Sequence, residues 1–217
     1  ENSELKSMVA DAVAPELIGN SAVMRGIRQS IEKIALTSSR VLVSGPSGSG
    51  KELAARCIHS KSTRKDERFV VANCARLASE RVDAELFGSE SLQSHRRVVG
   101  LFEQAHQGTL YFDEICDLPV DTQGKIVRAV NEQRFRRVGG STEVVVDVRV
   151  ISASSRDLAA EMSAGRLRED LYYRLGVVPL TMPPLVQRRE DRPLLAKHFT
   201  AVVAKRLGVL PFKLGDE

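Results

Sequence analysis

Apolar residues fall along this chain in two rhythms. Short unbroken runs, such as Val41-Leu42-Val43, Phe69-Val70-Val71-Ala72 and Leu110-Tyr111-Phe112, suit strands buried on both faces. Elsewhere apolar residues return at helical spacing. Val23, Ile27, Ile31 and Ile34 mark one face of a helix that Ser21 is placed to cap. This reading gives strands at 40–44, 69–73, 109–112, 148–152 and 177–180, and helices over 52–60, 122–132 and 190–207. Residues 79–106 read as mostly helical with breaks near Gly88 and Gly100, and 158–175 as helical around Gly165. Gly139-Gly140, between the runs 134–138 and 143–146, predicts a hairpin. Strands alternating with helices predict an α/β fold: a three-layer sandwich with a mostly parallel five-stranded sheet.

Two boundaries stand out. Residues 1–14 are polar with scattered apolar positions and read as a helical linker from an upstream domain. The chain starts at Glu1 rather than Met, so a piece of a longer protein is expected. Pro183-Pro184 closes the α/β unit, taken as 15–184, and 185–217 reads as the start of a small helical unit.

Composition narrows the function classes. The chain has 217 residues, 42% hydrophobic and 28% charged, ordinary for a soluble domain. Aromatics at 5% and the lack of Trp weigh against a base-stacking RNA platform. The net charge of +4 comes from 32 basic and 28 acidic residues, a mixed surface rather than a polybasic one. Cys57, Cys74 and Cys116 are odd in number and lack CxxC spacing, which points to a reducing, cytoplasmic setting. Cys57 and His59 read as packing residues, since no further ligands follow at zinc spacing. No apolar run approaches the roughly 18 residues of a membrane span, so no membrane partner is expected.

The chemistry concentrates in Gly45-Pro46-Ser47-Gly48-Ser49-Gly50-Lys51, which fits G-x-x-x-x-G-K between a strand and a helix. Glycines let backbone N–H groups turn in around phosphate oxygens, the helix presents its positive end, and Lys51 supplies a mobile cation. ATP or ADP with magnesium is the implied ligand. Glu52 stands where Ser or Thr usually binds the metal, and its carboxylate can serve directly or through water. It equally suits the first turn of a helix. The run Leu110–Phe112 ends in Asp113-Glu114, which puts Asp113 near the magnesium and Glu114 in place as base for an attacking water. Asp117 and Asp121 read as helix-capping and surface residues.

From Leu17 to about Phe199 the chain resembles the AAA+ ATPase domain of bacterial enhancer-binding proteins, the sigma-54-dependent transcription activators. The resemblance rests on Glu16-Leu17-Ile18-Gly19, the P-loop with its Lys51-Glu52 ending and Asn73-Cys74-Ala75. It extends through Glu85-Leu86-Phe87-Gly88, Phe102-Glu103-Gln104-Ala105, Arg137-Val138-Gly139-Gly140, the run Arg168 to Leu175 and Pro183-Pro184-Leu185. It implies that Ile18 and Gly19 join the nucleotide-binding set and that Asn73 holds the catalytic glutamate in an inactive pose. It also implies that Arg168 and Arg174 reach the γ-phosphate of a neighbouring subunit, so that assembly into a dimer or hexamer precedes turnover.

Two positions depart from the family pattern. Ser154-Ser155 replaces the usual Thr-Asn of the γ-phosphate sensor, leaving Ser155 as a shorter donor. The GAFTGA loop that contacts sigma-54 is replaced by the shorter run Ser91-Leu92-Gln93-Ser94-His95-Arg96-Arg97-Val98-Val99. The resemblance is strongest to a subgroup with this loop shortened. It implies a two-component response regulator: a receiver domain for a sensor histidine kinase on one side, a DNA-binding helix-turn-helix on the other, both outside this chain. A nucleotide-dependent oligomerisation switch with weak ATPase activity is therefore expected, and a motor remodelling sigma-54 RNA polymerase is the alternative.

Overall fold

The computed structural model describes residues 16–77, 80–91 and 97–209. The linker expected at 1–14 and loop residues Leu92 to Arg96 lie outside that set. In chain order the elements are α1 (Ala22–Ala35), β1 (Val41–Ser44), α2 (Lys51–Ser60), β2 (Phe69–Asn73), α3 (Val82–Phe87), β3 (Ser89–Glu90) and β4 (Arg97–Val98). Next come α4 (Leu101–Gln104), β5 (Thr109–Asp113), α5 (Val120–Glu132), β6 (Arg134–Arg136), β7 (Glu143–Val145) and β8 (Arg149–Ser154). Then follow α6 (Leu158–Ser163), α7 (Glu169–Leu175), β9 (Val178–Thr181) and α8 (Arg192–Leu207). Short 3-10 turns lie at Cys74–Arg76, Ile115–Asp117 and Leu185–Asp191.

Five strands form one parallel sheet in the order β2-β5-β8-β1-β9. The chain leaves β1 through α2 and re-enters the sheet at its far edge, and β5 and β8 later fill the gap. A reversal of this kind opens a crevice at the carboxyl ends of the strands, where α/β proteins bind ligands. The loop after β1 therefore faces the ends of β5 and β8.

Alternation along each strand sends side chains to two cores. Leu110, Phe112 and Val150 pack with Leu86, Ile126 and Leu171 beneath α3, α5 and α7. Tyr111, Ile151, Val41 and Val43 pack with Met24, Ile31 and Ile58 beneath α1 and α2. Burying one such side chain stabilises the fold by about 1.5–3 kcal/mol relative to leaving it in water. Burial on both faces explains why these strands read as unbroken apolar runs.

Several sequence expectations are corrected. In α1, Ser21 is the cap, accepting from the Met24 N–H at 3.3 Å, but the inward residue is Met24 and Val23 is 44% exposed. The stretch 79–106 is less helical than expected: β3 and β4 pair antiparallel within it. Two-residue strands are too short to show a period. Residues 158–175 split into α6 and α7, and Arg168 is the N-cap residue of α7 rather than a residue inside a helix. The last helix begins at Arg192 after the 3-10 turn. Asp121 lies in the first turn of α5, whose cap position is Pro119, and Asp117 pairs with Arg156. The hairpin at Gly139-Gly140 is present as β6 and β7. All three cysteines are buried, and His59 hydrogen-bonds Thr109 Oγ1 at 2.9 Å, which makes it a packing residue as expected.

Candidate functional site

Residues Gly45 to Gly50 turn from β1 into α2 with three glycines at positive φ: +145° at Gly45, +75° at Gly48 and +97° at Gly50. A Cβ on Gly45 would sit 2.6 Å from the Met182 carbonyl, where the chain leaves β9, so this position tolerates no side chain. Gly48 has open space around it and is fixed by its φ alone. Two backbone bonds anchor the loop to the sheet ends: Gly45 N–H donates to the Ser154 carbonyl at 3.3 Å, and Met182 N–H to the Ser44 carbonyl at 2.7 Å.

Lys51 opens α2 and is 7% exposed. Its Nζ donates to the Gly45 carbonyl at 3.0 Å and lies 3.2 Å from Glu114 Oε1. Glu114 follows β5 in left-handed conformation, φ 55°, which swings its carboxylate back toward the loop. Its Oε2 accepts the Ser155 N–H at 2.8 Å. Burial alone would raise the Glu114 pKa. The hydrogen bonds from Ser155 and the positive charge of Lys51 outweigh it and hold the carboxyl below its ordinary value. Asp113 shifts the other way: burial raises it first, and the nearby Glu114 and Glu52 add to the rise against the Tyr111 hydrogen bond. That bond, Tyr111 OH to Asp113 Oδ1, is 3.1 Å long.

The structure thus brings Lys51, Asp113, Glu114 and Ser155 to one point at the strand ends. Asn73 ends β2 directly opposite Asp113 in the parallel register. The Glu114 carboxylate rests on Lys51 and Ser155 rather than on the partner the resemblance implies. Glu52 points along α2, pairing with Arg56 at 2.9 Å, and is about half exposed. Pro46 and Ser47 are exposed at the loop tip, whereas Ser49 is buried with a hydroxyl that has no partner. Arg168 pairs with Asp170 through two bonds of 2.9 and 2.8 Å, and Arg174 is exposed near Arg40. Neither shares a hydrogen bond or ion pair with Lys51, Asp113, Glu114 or Ser155 among the described residues.

Ile18 and Gly19 lie across a cleft from Gly48 and Gly50, with Arg188 in its wall. Arg28 fixes the Ile18 segment by donating to the carbonyls of Leu17 at 3.0 Å and Gly19 at 2.7 Å. Asp191 accepts the Asn20 N–H at 2.6 Å, the Ser21 N–H at 2.8 Å and the Ser21 hydroxyl at 2.7 Å. Arg28, Arg188 and Asp191 were not among the expected residues. Arg28 is one polar position of α1, and for Arg188 and Asp191 the sequence signal is the charged run just past Pro183-Pro184.

The donor set suits a hard divalent cation held jointly with phosphates. Among the described residues no three acidic, histidine or cysteine side chains converge on one point. Magnesium needs no such cage: it is held by one or two carboxylates, with water and phosphate oxygens completing the shell. Asp113 and Glu114 stand side by side at the end of β5, and among the described residues the buried Ser49 hydroxyl of the loop has no hydrogen-bond partner. Among the described residues no helix is long and apolar enough to cross a membrane.

Comparison with known proteins agrees with this geometry. The sigma-54 interaction domain model matches residues 17–181. The nitrogen assimilation regulatory protein NtrX of Azorhizobium caulinodans is 46% identical over 201 residues, covering 93% of this chain and 44% of that protein. The response regulator protein PilR of Pseudomonas aeruginosa is also 46% identical, covering 92% of this chain and 46% of its own length. Among solved structures, NtrX from Brucella abortus in complex with ATP superposes with a TM-score of 0.89 at 45% identity, covering 100% of this chain and 47% of that one. This chain therefore spans about half the length of the relatives it matches. With the parallel sheet, the P-loop and the acid pair at the end of β5 in place, the chain belongs to the sigma-54 interaction domain family, the AAA+ ATPase domain of bacterial transcription regulators.

Proposed function

We propose that this chain binds ATP and ADP with magnesium at the loop from Gly45 to Glu52 and hydrolyses ATP slowly. The observation that carries this is the pairing of Lys51 with Glu114 at 3.2 Å above a cradle of three positive-φ glycines. The ATP complex of the NtrX relative supports the ligand class. Glu114, held below its usual pKa, is ionised at neutral pH and able to take a proton from water. While it pairs with Lys51 and Ser155 it is held back from that water. Phosphates entering the cradle compete for Lys51 and free one carboxylate oxygen. Asp113 would hold magnesium, with Glu52 contributing through water, and the ion would neutralise phosphate charge. Ser155, whose N–H already meets Glu114, is the residue read as sensing the outer phosphate. Calorimetry with ADP and ATP on the parent and on Lys51→Ala tests the site, and equal affinity in the two would sink it. Glu114→Gln is expected to keep ATP and lose turnover.

The whole protein is then read as a two-component response regulator that uses nucleotide to bias its own assembly on DNA. It contacts DNA through a helix-turn-helix and a histidine kinase through a receiver, both outside this chain. Arg168 and Arg174, both exposed, are suited to act on a neighbour's phosphate, so turnover per chain should rise with protein concentration. The loop that would grip sigma-54 is short and basic at His95-Arg96-Arg97 and lacks the GAFTGA sequence. The second reading, a motor that remodels sigma-54 polymerase, is favoured by the family match itself. ATP-dependent open-complex formation on a sigma-54 promoter by the unmodified whole protein would decide for the motor.

A further inference from the structure

Arg188 lies in the 3-10 turn that leads into α8, and it is 7% exposed. It reaches across to the phosphate-binding loop, donating from one terminal nitrogen to the Ser49 carbonyl at 3.0 Å. The other terminal nitrogen meets only the Met24 sulfur at 3.5 Å, and Nε has no partner. Among the described residues no carboxylate pairs with it. Asp191 feels its charge, but the Asp191 oxygens are taken by Asn20 and Ser21. A buried guanidinium with one good acceptor and a thioether is poorly compensated, because each ion removed from water must recover its hydration from partners.

The position of that one acceptor gives the arginine a role. Ser49 and Gly50 share a trans peptide, whose C=O and N–H point in opposite directions. With the Ser49 carbonyl held by Arg188 behind the loop, the Gly50 N–H is turned toward the concave side. Gly50 sits at φ +97° as the cap position of α2, so this N–H is one of the free donors at the helix start. A cation on the carbonyl also polarises the same peptide and strengthens its N–H as a donor.

We propose that Arg188 is a positioning residue of the phosphate-binding loop, supplied by the junction to the helical unit, which fixes the Ser49–Gly50 peptide so that its N–H meets a polyphosphate. This rests on the reading of the loop as a nucleotide site. The same turn is tied to the other side of the cleft by Asp191, so movement of α8 is transmitted to the Gly50 donor through Arg188 and to Gly19 through Asp191.

The test uses the whole protein as parent, Arg188→Met, Arg188→Lys and Lys51→Ala, each titrated with ADP and with adenosine at a temperature where circular dichroism shows it folded. Arg188→Met is expected to weaken ADP about tenfold, the worth of one charge-assisted hydrogen bond, and to leave adenosine unchanged. Arg188→Lys should recover part of the loss. The melting temperature of nucleotide-free Arg188→Met should hold or rise. ADP affinity within twofold of the parent in Arg188→Met overturns the proposal whatever its melting temperature, because a purely structural arginine alters stability and not affinity. Equal weakening of ADP and adenosine overturns it too. If the parent and Lys51→Ala bind ADP equally, the nucleotide site itself has been misread.

Discussion

Two arginines are buried to nearly the same extent and are treated in opposite ways. Arg137, its side chain 5% exposed, lies beside the hairpin of β6 and β7, and its guanidinium makes a two-pronged pair with Glu103, Nε at 2.8 Å and a terminal nitrogen at 2.7 Å. Glu90 approaches its remaining terminal nitrogen at 3.4 Å, and Arg97 adds a second cation to Glu103 at 2.9 Å. Arg188, 7% exposed, has a single carbonyl and a sulfur. The first cation is neutralised within the fold and acts as a clamp between α4 and the base of β3. The second is left short of negative charge beside a loop shaped for anions. Burial alone therefore does not tell which charged residues are architecture; the balance of partners does.

The largest effect should come from breaking the neutralised one. Arg137→Met leaves the Glu103 carboxylate, itself 9% exposed, with the exposed Arg97 alone in a site built for a bidentate partner. Removing one member of a buried pair costs about 3 kcal/mol or more. Urea unfolding is expected to show that loss for Arg137→Met and none for Arg188→Met. Equal losses at both would erase the contrast.

A smaller effect is expected at Asp191. Asp191→Asn removes the charge from the oxygen that accepts both backbone N–H groups and sets a donating amide against the Ser21 hydroxyl in place of an accepting oxygen, costing about 1–3 kcal/mol. The same urea measurement checks it, and a change below a few tenths would show that the turn is not anchored there.

The acid side sharpens the comparison further. Burial alone would raise the Glu103 pKa, but Arg137 and Arg97 outweigh it and hold it below its ordinary value. A depressed carboxyl contributes stability that is present above its unfolded value, about 4.3, and is lost as pH falls through the folded value. The urea midpoint of the parent should therefore fall as pH drops below about 4. Arg137→Met, starting lower, should fall less steeply. Parallel profiles would mean that Glu103 does not draw its shift from Arg137.

The contrast also marks what the sequence discloses. The cradle from Gly45 to Lys51 is legible because its parts are contiguous and its mechanism is backbone geometry. The acid pair Asp113-Glu114 is legible because an apolar run ends on it. Arg188 and Asp191 work over separations of 139 and 170 residues, and in sequence they sit in a charged run whose spacing marks no partner. The same partner resolves a local ambiguity: Val23 and Met24 both suit the apolar face of α1, and Met24 is the one that turns inward, with its sulfur against Arg188. Glu103 and Arg137 both stand in recognisable segments, but nothing in their spacing says that they touch.

The smallest effect is expected at Arg168, a third kind of arginine. It is exposed and pairs with Asp170 two residues along at the start of α7. Such a pair is screened by water and is short in sequence, so it forms and breaks without moving the fold. Among the described residues the Arg168 guanidinium makes no hydrogen bond to another element, although it lies over Gly124 of α5; its bonded link to α5 is its backbone N–H, which donates to Gln123 Oε1 at 2.9 Å and survives any side-chain change. Arg168→Ala should leave the melting temperature of the nucleotide-free protein unchanged within error. If the residue serves a neighbouring subunit, the same variant should lose ATP turnover, and mixing it with Glu114→Gln should restore part of it, because one chain then supplies the arginine and the other the base. A fall in melting temperature comparable to that of Arg137→Met would show that Arg168 is part of the architecture. Turnover equal to the parent would remove it from the reaction.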